Sequence, residues 1–218
     1  MTDGPDGEGP SVDHYYSARP RSPSERGQLR FLYRGEILTF TVDRGVFASR
    51  ALDPGTDLLI ESLEVGRADR VLDLGCGWGA VGVAAAKAAP EGRVVMVDVN
   101  RRAVRLAREN LAQNRLTNAE VRAGSMFEAV PGERFDVIAA NPPYRIGRPQ
   151  ILALLRVAPQ YLTASGRLWI VGQGSQGILY YQRKLVEEFP GTVEVVARRS
   201  GYRVLRASRS GPATARAR

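Results

Sequence analysis

Asn141-Pro142-Pro143-Tyr144 joins residue types suited to one narrow chemical problem. An amine conjugated to a base or an amide has a delocalised lone pair and is a poor nucleophile. Two hydrogen-bond acceptors aimed at its two protons favour pyramidal geometry and return lone-pair density to nitrogen in the transition state. Asn141 offers a side-chain oxygen, and Pro142 offers a carbonyl. Consecutive prolines fix φ and bias the preceding residues toward extended backbone, so these acceptors are held before a substrate arrives. Tyr144 adds a ring on which a planar base or amide can stack, worth about 1–3 kcal/mol per base in single-strand binders. In isolation the tetrapeptide is an ordinary strand-ending turn. Here it follows the apolar run Asp136-Val137-Ile138-Ala139-Ala140, which ends a strand where a substrate would enter.

A second stretch supplies the place for a cofactor. Val71-Leu72-Asp73-Leu74 is a buried-strand pattern that breaks into Gly75-Cys76-Gly77-Trp78-Gly79 and then into helix formers, giving strand, glycine turn, helix. Glycines suit such a turn because it needs positive φ and because a missing Cβ lets a ligand approach the backbone. Two patterns overlap: Gly75, Gly77 and Gly79 form G-x-G-x-G, while Gly77, Gly79 and Gly82 satisfy the dinucleotide G-x-G-x-x-G. Asp98, which closes the run Arg93-Val94-Val95-Met96-Val97, lies 19 residues after Gly79 (98 − 79). That is near the spacing of about 20 expected for an acid that accepts from ribose hydroxyls. The acid fits either NAD or S-adenosylmethionine.

The elements around these two stretches read as one α/β domain. Residues 1–27 are rich in Gly, Pro, Ser, Asp and Arg and are expected as a flexible tail, with His14-Tyr15-Tyr16-Ser17 able to dock on the domain or on a base. A hairpin over 28–42 turns at Arg34-Gly35, and a short helix over 56–63 follows Asp53-Pro54-Gly55. Together, 28–64 read as a small β and helix appendage to a cofactor-binding core over 65–208, and 209–218 as a basic tail. Within the core the pattern predicts strands at 70–74, 93–98, 120–123, 135–140 and 167–171. Helices are expected at 80–89, 101–114, 150–162 and 176–189. Alternation at this spacing implies a mostly parallel sheet of seven strands with its crevice at the carboxyl ends of strands one, two and four. The last two strands, 193–198 and 202–207, are joined by Ser200-Gly201 and must pair antiparallel.

Composition narrows the class. With 218 residues and 44% hydrophobic content, one well-buried domain is expected. No apolar run approaches a membrane span and the N-terminus has no signal-peptide core, so a cytoplasmic protein is expected. The single cysteine, Cys76, excludes an internal disulfide and reads as a small filler of the loop. The formal charge of +8 is nearly all arginine, since Lys87 and Lys184 are the only lysines, and arginine's planar fork suits phosphate and base edges. A polyanionic partner, a nucleic acid, fits that balance. So does a bias toward Arg and Ala in composition.

Taken together, Asp73-Leu74-Gly75-Cys76-Gly77-Trp78-Gly79, the acid Asp98 and Asn141-Pro142-Pro143-Tyr144 resemble a Rossmann-like class I S-adenosylmethionine-dependent methyltransferase. Gly45-Val46-Phe47-Ala48, Leu52-Asp53-Pro54-Gly55-Thr56 and Gly201-Tyr202-Arg203-Val204 extend the likeness to the RsmC-like ribosomal RNA guanine-N2 methyltransferases, over roughly 28–208. The resemblance implies S-adenosylmethionine as cofactor, with Asp73, Gly75, Cys76, Gly77 and Gly79 around its methionine moiety and Asp98-Val99 at its ribose. It places Asn141, Pro142, Pro143 and Tyr144 at the target amine, with Asn141 also near the cofactor, and implies RNA as partner.

The chain also departs from the family. Many members carry an acid beside the adenine after the third strand, where this chain has Ser125-Met126; that leaves backbone as a candidate contact. Longer RsmC-type enzymes carry a second, degenerate domain for which 218 residues have no room. Three other readings stand beside guanine methylation. Release-factor glutamine methyltransferases share the Asn-Pro-Pro-Tyr motif. An NAD oxidoreductase lacks a hydride-site His or Tyr/Lys pair here. An inactive RNA-binding relative would not be expected to keep Asp73, Asp98 and Asn141.

Overall fold

The computed structural model describes residues 23–48 and 50–209. The chain runs β1 (Arg26–Tyr33), β2 (Glu36–Asp43), α1 (Pro54–Ser62), β3 (Arg70–Leu74), α2 (Ala80–Ala88), β4 (Arg93–Asp98) and α3 (Arg101–Gln113). It continues through β5 (Ala119–Ala123), β6 (Phe135–Ala140), α4 (Arg148–Val157), β7 (Leu162–Gln173), α5 (Ile178–Glu188), β8 (Thr192–Arg199) and β9 (Tyr202–Ser208). Seven strands form one sheet in the order β5-β4-β3-β6-β7-β9-β8, parallel from β5 to β7, with β9 antiparallel to both β7 and β8.

The apolar runs read as strands because the sheet is buried on both faces. Val71, Val94, Met96, Val137 and Trp169 pack under α1, α2 and α3, while Leu72, Val95, Ile138, Leu168 and Leu205 pack under α4 and α5. Successive side chains alternate between faces, so a strand covered twice must be apolar at every position. The same alternation stops at Asp73 and Asp98, the two acids that the sheet delivers to its carboxyl edge.

The β1–β2 hairpin turns through Arg34 and Gly35, both at positive φ (48° and 83°), the two-residue turn whose twist matches a hairpin. It forms the small two-stranded sheet expected ahead of the core, and it packs closely on that core. Phe40 is fully buried, stacked on Phe31 at 5.0 Å and edge-on to Trp78 of the glycine loop at 4.9 Å. Two asparagines one turn apart, Asn110 on α3 and Asn114 at its C-cap, complete the hairpin's outer strand edge. Asn110 accepts from the Thr41 amide at 2.7 Å and donates to the Thr41 carbonyl at 2.9 Å. Asn114 treats Thr39 the same way, at 3.1 and 2.7 Å. Each side-chain amide thus stands in for a neighbouring strand, at the i, i+4 spacing that matches alternate residues of β2. Asn110 also donates to the Trp78 carbonyl at 2.7 Å, which ties the hairpin to the glycine loop.

Several boundaries differ from the sequence expectation. The helix expected over 150–162 ends at Val157 and tightens into a 3₁₀ turn over Ala158–Tyr161, because Pro159 cannot donate to a helical carbonyl. β7 then begins at Leu162, and its pairing with β6 steps two residues on β6 (Phe135 to Val137) against five on β7 (Leu162 to Arg167). α5 starts at Ile178 rather than Gln176, after Gly177 in the left-handed region. His14 to Ser17, the rest of 1–22 and 210–218 lie outside the described residues. No helix among the described residues is long and apolar enough to cross a membrane.

Candidate active site

The carboxyl ends of β3, β4, β5 and β6 open into a cleft of about 760 Å³. Its glycine-loop end is lined by Val46, Gly75, Gly77, Asp98, Ser125 and Met126, and its far end by Asn141, Tyr144, Gln150, Gln173, Gln176 and Tyr202. Val99, Pro142 and Pro143 line it as well. Of the residues singled out by sequence, Asp73, Cys76 and Gly79 do not line it.

The glycine loop divides by function. Gly75 and Gly77 adopt positive φ (72° and 56°), and a Cβ on either would meet nothing within 4 Å, so backbone is open to a ligand. Gly79 and Gly82 instead press on β4: a Cβ would come within 2.6 and 2.5 Å of Met96. The overlapping glycine patterns are therefore two separate demands, ligand approach and helix–strand packing.

The two acids occupy different depths. Asp98 accepts from the Gly77 amide at 2.8 Å and the Asn100 amide at 2.7 Å, so its carboxylate clamps the loop while facing the cleft. Burial pushes its pKa up, and those amides pull the other way. Asp73 lies beneath the loop, 2% exposed, and accepts from the Gly82 amide at 2.8 Å. Burial raises its pKa to about 7, against the Gly82 amide and with a contribution from the Asp98 charge. Cys76 is buried as well, and burial, then the two acids, hold its thiol well above the ordinary range. A protonated thiol in that position fills space.

Asn141 is oriented from outside its own motif. Its Nδ2 donates to Asp53 Oδ2 at 3.0 Å and to Thr56 Oγ1 at 2.9 Å. Two acceptors on one side fix the amide, and Oδ1 is left with no donor among the described residues. Asp53 also caps α1 by accepting from the Thr56 amide at 2.8 Å, with Pro54 in the first turn. Tyr202 lies near Asp53, and burial, then that charge, push its phenol up. Its ring packs so closely on Gly55 that a Cβ there would lie 2.7 Å away. The segments at 52–56, 141–144 and 201–204 thus converge on one amide.

Tyr144 is held by its hydroxyl, which donates to the Val171 carbonyl at 2.7 Å across Gly172. Burial keeps that phenol protonated, so Tyr144 presents a fixed ring and offers no base. Sequence reasoning did not assign Asp53, Thr56, Gln150, Gln173 or Gln176 to the site. Asp53 and Thr56 carried a signal only as part of the family-like stretch Leu52-Asp53-Pro54-Gly55-Thr56.

Residues 37–206 match the family described as methyltransferase small domain. The chain belongs to that family. It is 38% identical to the uncharacterized protein YbxB of Bacillus subtilis over 199 residues, 90% of this chain and 98% of that one. It is also 38% identical to ribosomal RNA small subunit methyltransferase C of Klebsiella pneumoniae, over 80% of this chain and 50% of the other, so it spans about half the length of such relatives. A solved Thermus thermophilus structure, a 16S rRNA N2 G1207 methyltransferase in complex with AdoMet and guanosine, superposes with a TM-score of 0.75. Identity is 30%, over 87% of this chain and 52% of that one. The methyltransferase small domain is S-adenosylmethionine-dependent, and this chain has a cleft that fits the cofactor. Open glycine backbone and the half-buried Asp98 meet at one end of a cleft whose volume lies within the usual small-molecule range.

Proposed function

We propose that this methyltransferase small domain methylates an exocyclic amine in RNA, guanine N2 of ribosomal RNA, with S-adenosylmethionine held by Gly75, Gly77, Asp98 and Val99. When bound, the cofactor supplies an electrophilic methyl group on a sulfonium leaving group. The chain's own residues then have three tasks. Asp98, fixed by the Gly77 and Asn100 amides, keeps unused lone pairs for ribose hydroxyls. Asn141 Oδ1 and the Pro142 carbonyl accept from the two amine protons, so the nitrogen lone pair is directed at the methyl carbon. Tyr144 holds the planar acceptor against the wall. With the cofactor bound, its sulfonium would supply the methyl group and leave as the neutral thioether, and the extra proton of the amine would pass to water.

The observation that carries this reading is the pinning of Asn141 Nδ2 by Asp53 and Thr56, which commits the amide oxygen to accepting. Electrostatic groups that need no reorganisation contribute most to catalysis, and this one is set before substrate binds. The Thermus relative is a 16S rRNA N2 G1207 methyltransferase and the Klebsiella relative's name gives small-subunit RNA; both support the choice of atom and substrate. The test is transfer of labelled methyl from S-adenosylmethionine to small subunits, large subunits, free rRNA, tRNA and release factor. Label in RNA is expected. Label confined to release factor would move the chain to glutamine methylation.

A further inference from the structure

The β8–β9 hairpin presents two faces of very different charge balance. On the side toward α1, Arg199 reaches Asp57 at 2.5 Å and Glu61 at 2.8 Å, and Arg206 reaches Glu64 at 2.8 Å and Glu194 at 2.5 Å. On the other side, Arg198 and Arg203 stand directly opposite each other in the strand register. Neither has a carboxylate within ion-pair distance among the described residues. Arg203 shares its face with Leu205 and Ala207, which pack toward α4 and α5, so this pair looks out on that side. Like charges directly opposite on neighbouring strands destabilise a sheet, and an anion between them would reverse the sign.

This face adjoins the acceptor end of the cleft. Arg203 is in register with Gly172, and Tyr144 lies over Gly172. From Tyr144 the rings continue to Tyr181 at 5.5 Å and on to Tyr180 at 5.4 Å, where Arg148 sits over the ring at 5.3 Å. Arg145 lines the cleft itself and is exposed, again with no carboxylate partner among the described residues. Cations without counter-ions, interleaved with aromatic rings, are what single-strand binders use to track a backbone and stack bases. A base treated inside a cleft must leave its stack, so the nucleotides beside it run unpaired along the rim.

We propose that Arg198, Arg203, Arg148 and Arg145, with Tyr180, form the docking surface for the single-stranded RNA that flanks the target base. This rests on the reading of RNA as substrate. The paired arginines of the opposite face supply the control, because removing them changes net charge equally.

The test is binding of a labelled single-stranded RNA of about ten nucleotides, by fluorescence anisotropy over a range of salt, for wild type, Arg198→Gln/Arg203→Gln and Arg199→Gln/Arg206→Gln. Loss of two phosphate contacts lowers the slope of log K against log salt by about 1.4, at about 0.7 per contact on a single strand. That drop is expected for the first variant and a much smaller one for the control. The melting temperature of Arg198→Gln/Arg203→Gln should be no lower than wild type, since a repulsion is removed, and its thermal shift with S-adenosylmethionine should be unchanged. Equal drops in the two variants, or none in either, would overturn the surface. Methyl transfer by wild type to RNA is measured beside it. If wild type methylates RNA while Arg198→Gln/Arg203→Gln binds with an unchanged slope, the surface is wrong and the substrate reading stands. If wild type neither binds nor methylates any RNA, both fall.

Discussion

Asp73 is the residue whose perturbation can be worked through most fully. It is a carboxyl sealed beneath the glycine loop with one amide partner and a pKa of about 7, against an ordinary 3.8. Because the folded-state pKa is raised, the folded protein holds this proton more tightly than the unfolded chain. Its contribution to stability is complete below about pH 4 and is lost as pH rises through 7. From these two pKa values, the folded protein loses roughly 2–3 kcal/mol of stability between pH 5 and pH 8 as Asp73 ionises. Asp73→Asn keeps an acceptor for the Gly82 amide and removes the charge. Subtracting the variant's unfolding free energy from the wild type's cancels the titrating groups that do not feel the Asp73 charge. Denaturant unfolding at pH 5 and pH 8 should show Asp73→Asn gaining on wild type by about 2–3 kcal/mol across that interval. A difference constant with pH would refute the claim that this buried carboxyl titrates near neutrality.

Other outcomes follow from the same geometry. Asn141→Ala should lower kcat by about 10²–10³, the usual loss for one preorganised group, while the thermal shift with S-adenosylmethionine persists. Asp98→Ala should abolish that shift, which for wild type is worth about 2.7 kcal/mol at a hundredfold excess over Kd; if both variants lost the shift, the division between cofactor and acceptor residues would be wrong. Asp53→Ala should reduce kcat less than Asn141→Ala and should add little to it in the double variant, because the carboxylate acts through Asn141. It should also lower stability by about 0.5–2 kcal/mol as a lost helix cap. Asn110→Leu strands the Thr41 amide and the Thr41 and Trp78 carbonyls at about 1–3 kcal/mol each. Hydrogen exchange at Thr41 should accelerate sharply, and an unchanged rate would show that Asn110 does not carry the hairpin.

The parts legible in sequence were those governed by local rules. β3, α2 and β4 could be read because strands buried twice are apolar throughout and Pro90 stops the helix between them. Asp98 and Asn141 could be placed because each ends such a run, where the sheet meets solvent. The hairpin's integration was hidden. Its edge is completed by Asn110 and Asn114, which in sequence are two polar residues of an amphipathic helix, 69 and 75 residues away from their partners. The role of Asp53 was equally hidden, because in sequence it only precedes a short helix. Only the fold brings it within reach of Asn141, 88 residues on. Arg198 and Arg199 are indistinguishable as neighbours in sequence; the strand register sends one to a pair of acids and the other to face Arg203.

The central claim is that Asn141 Oδ1 and the Pro142 carbonyl activate the exocyclic amine of a guanine. Ribosomal RNA treated with the wild-type protein and labelled S-adenosylmethionine, then digested to nucleosides, tests it most directly, with Asn141→Ala beside it. The account predicts label in N2-methylguanosine and its loss in the variant. Label in a ring nitrogen, a ribose or a carbon of a base, or transfer undiminished by Asn141→Ala, would contradict it.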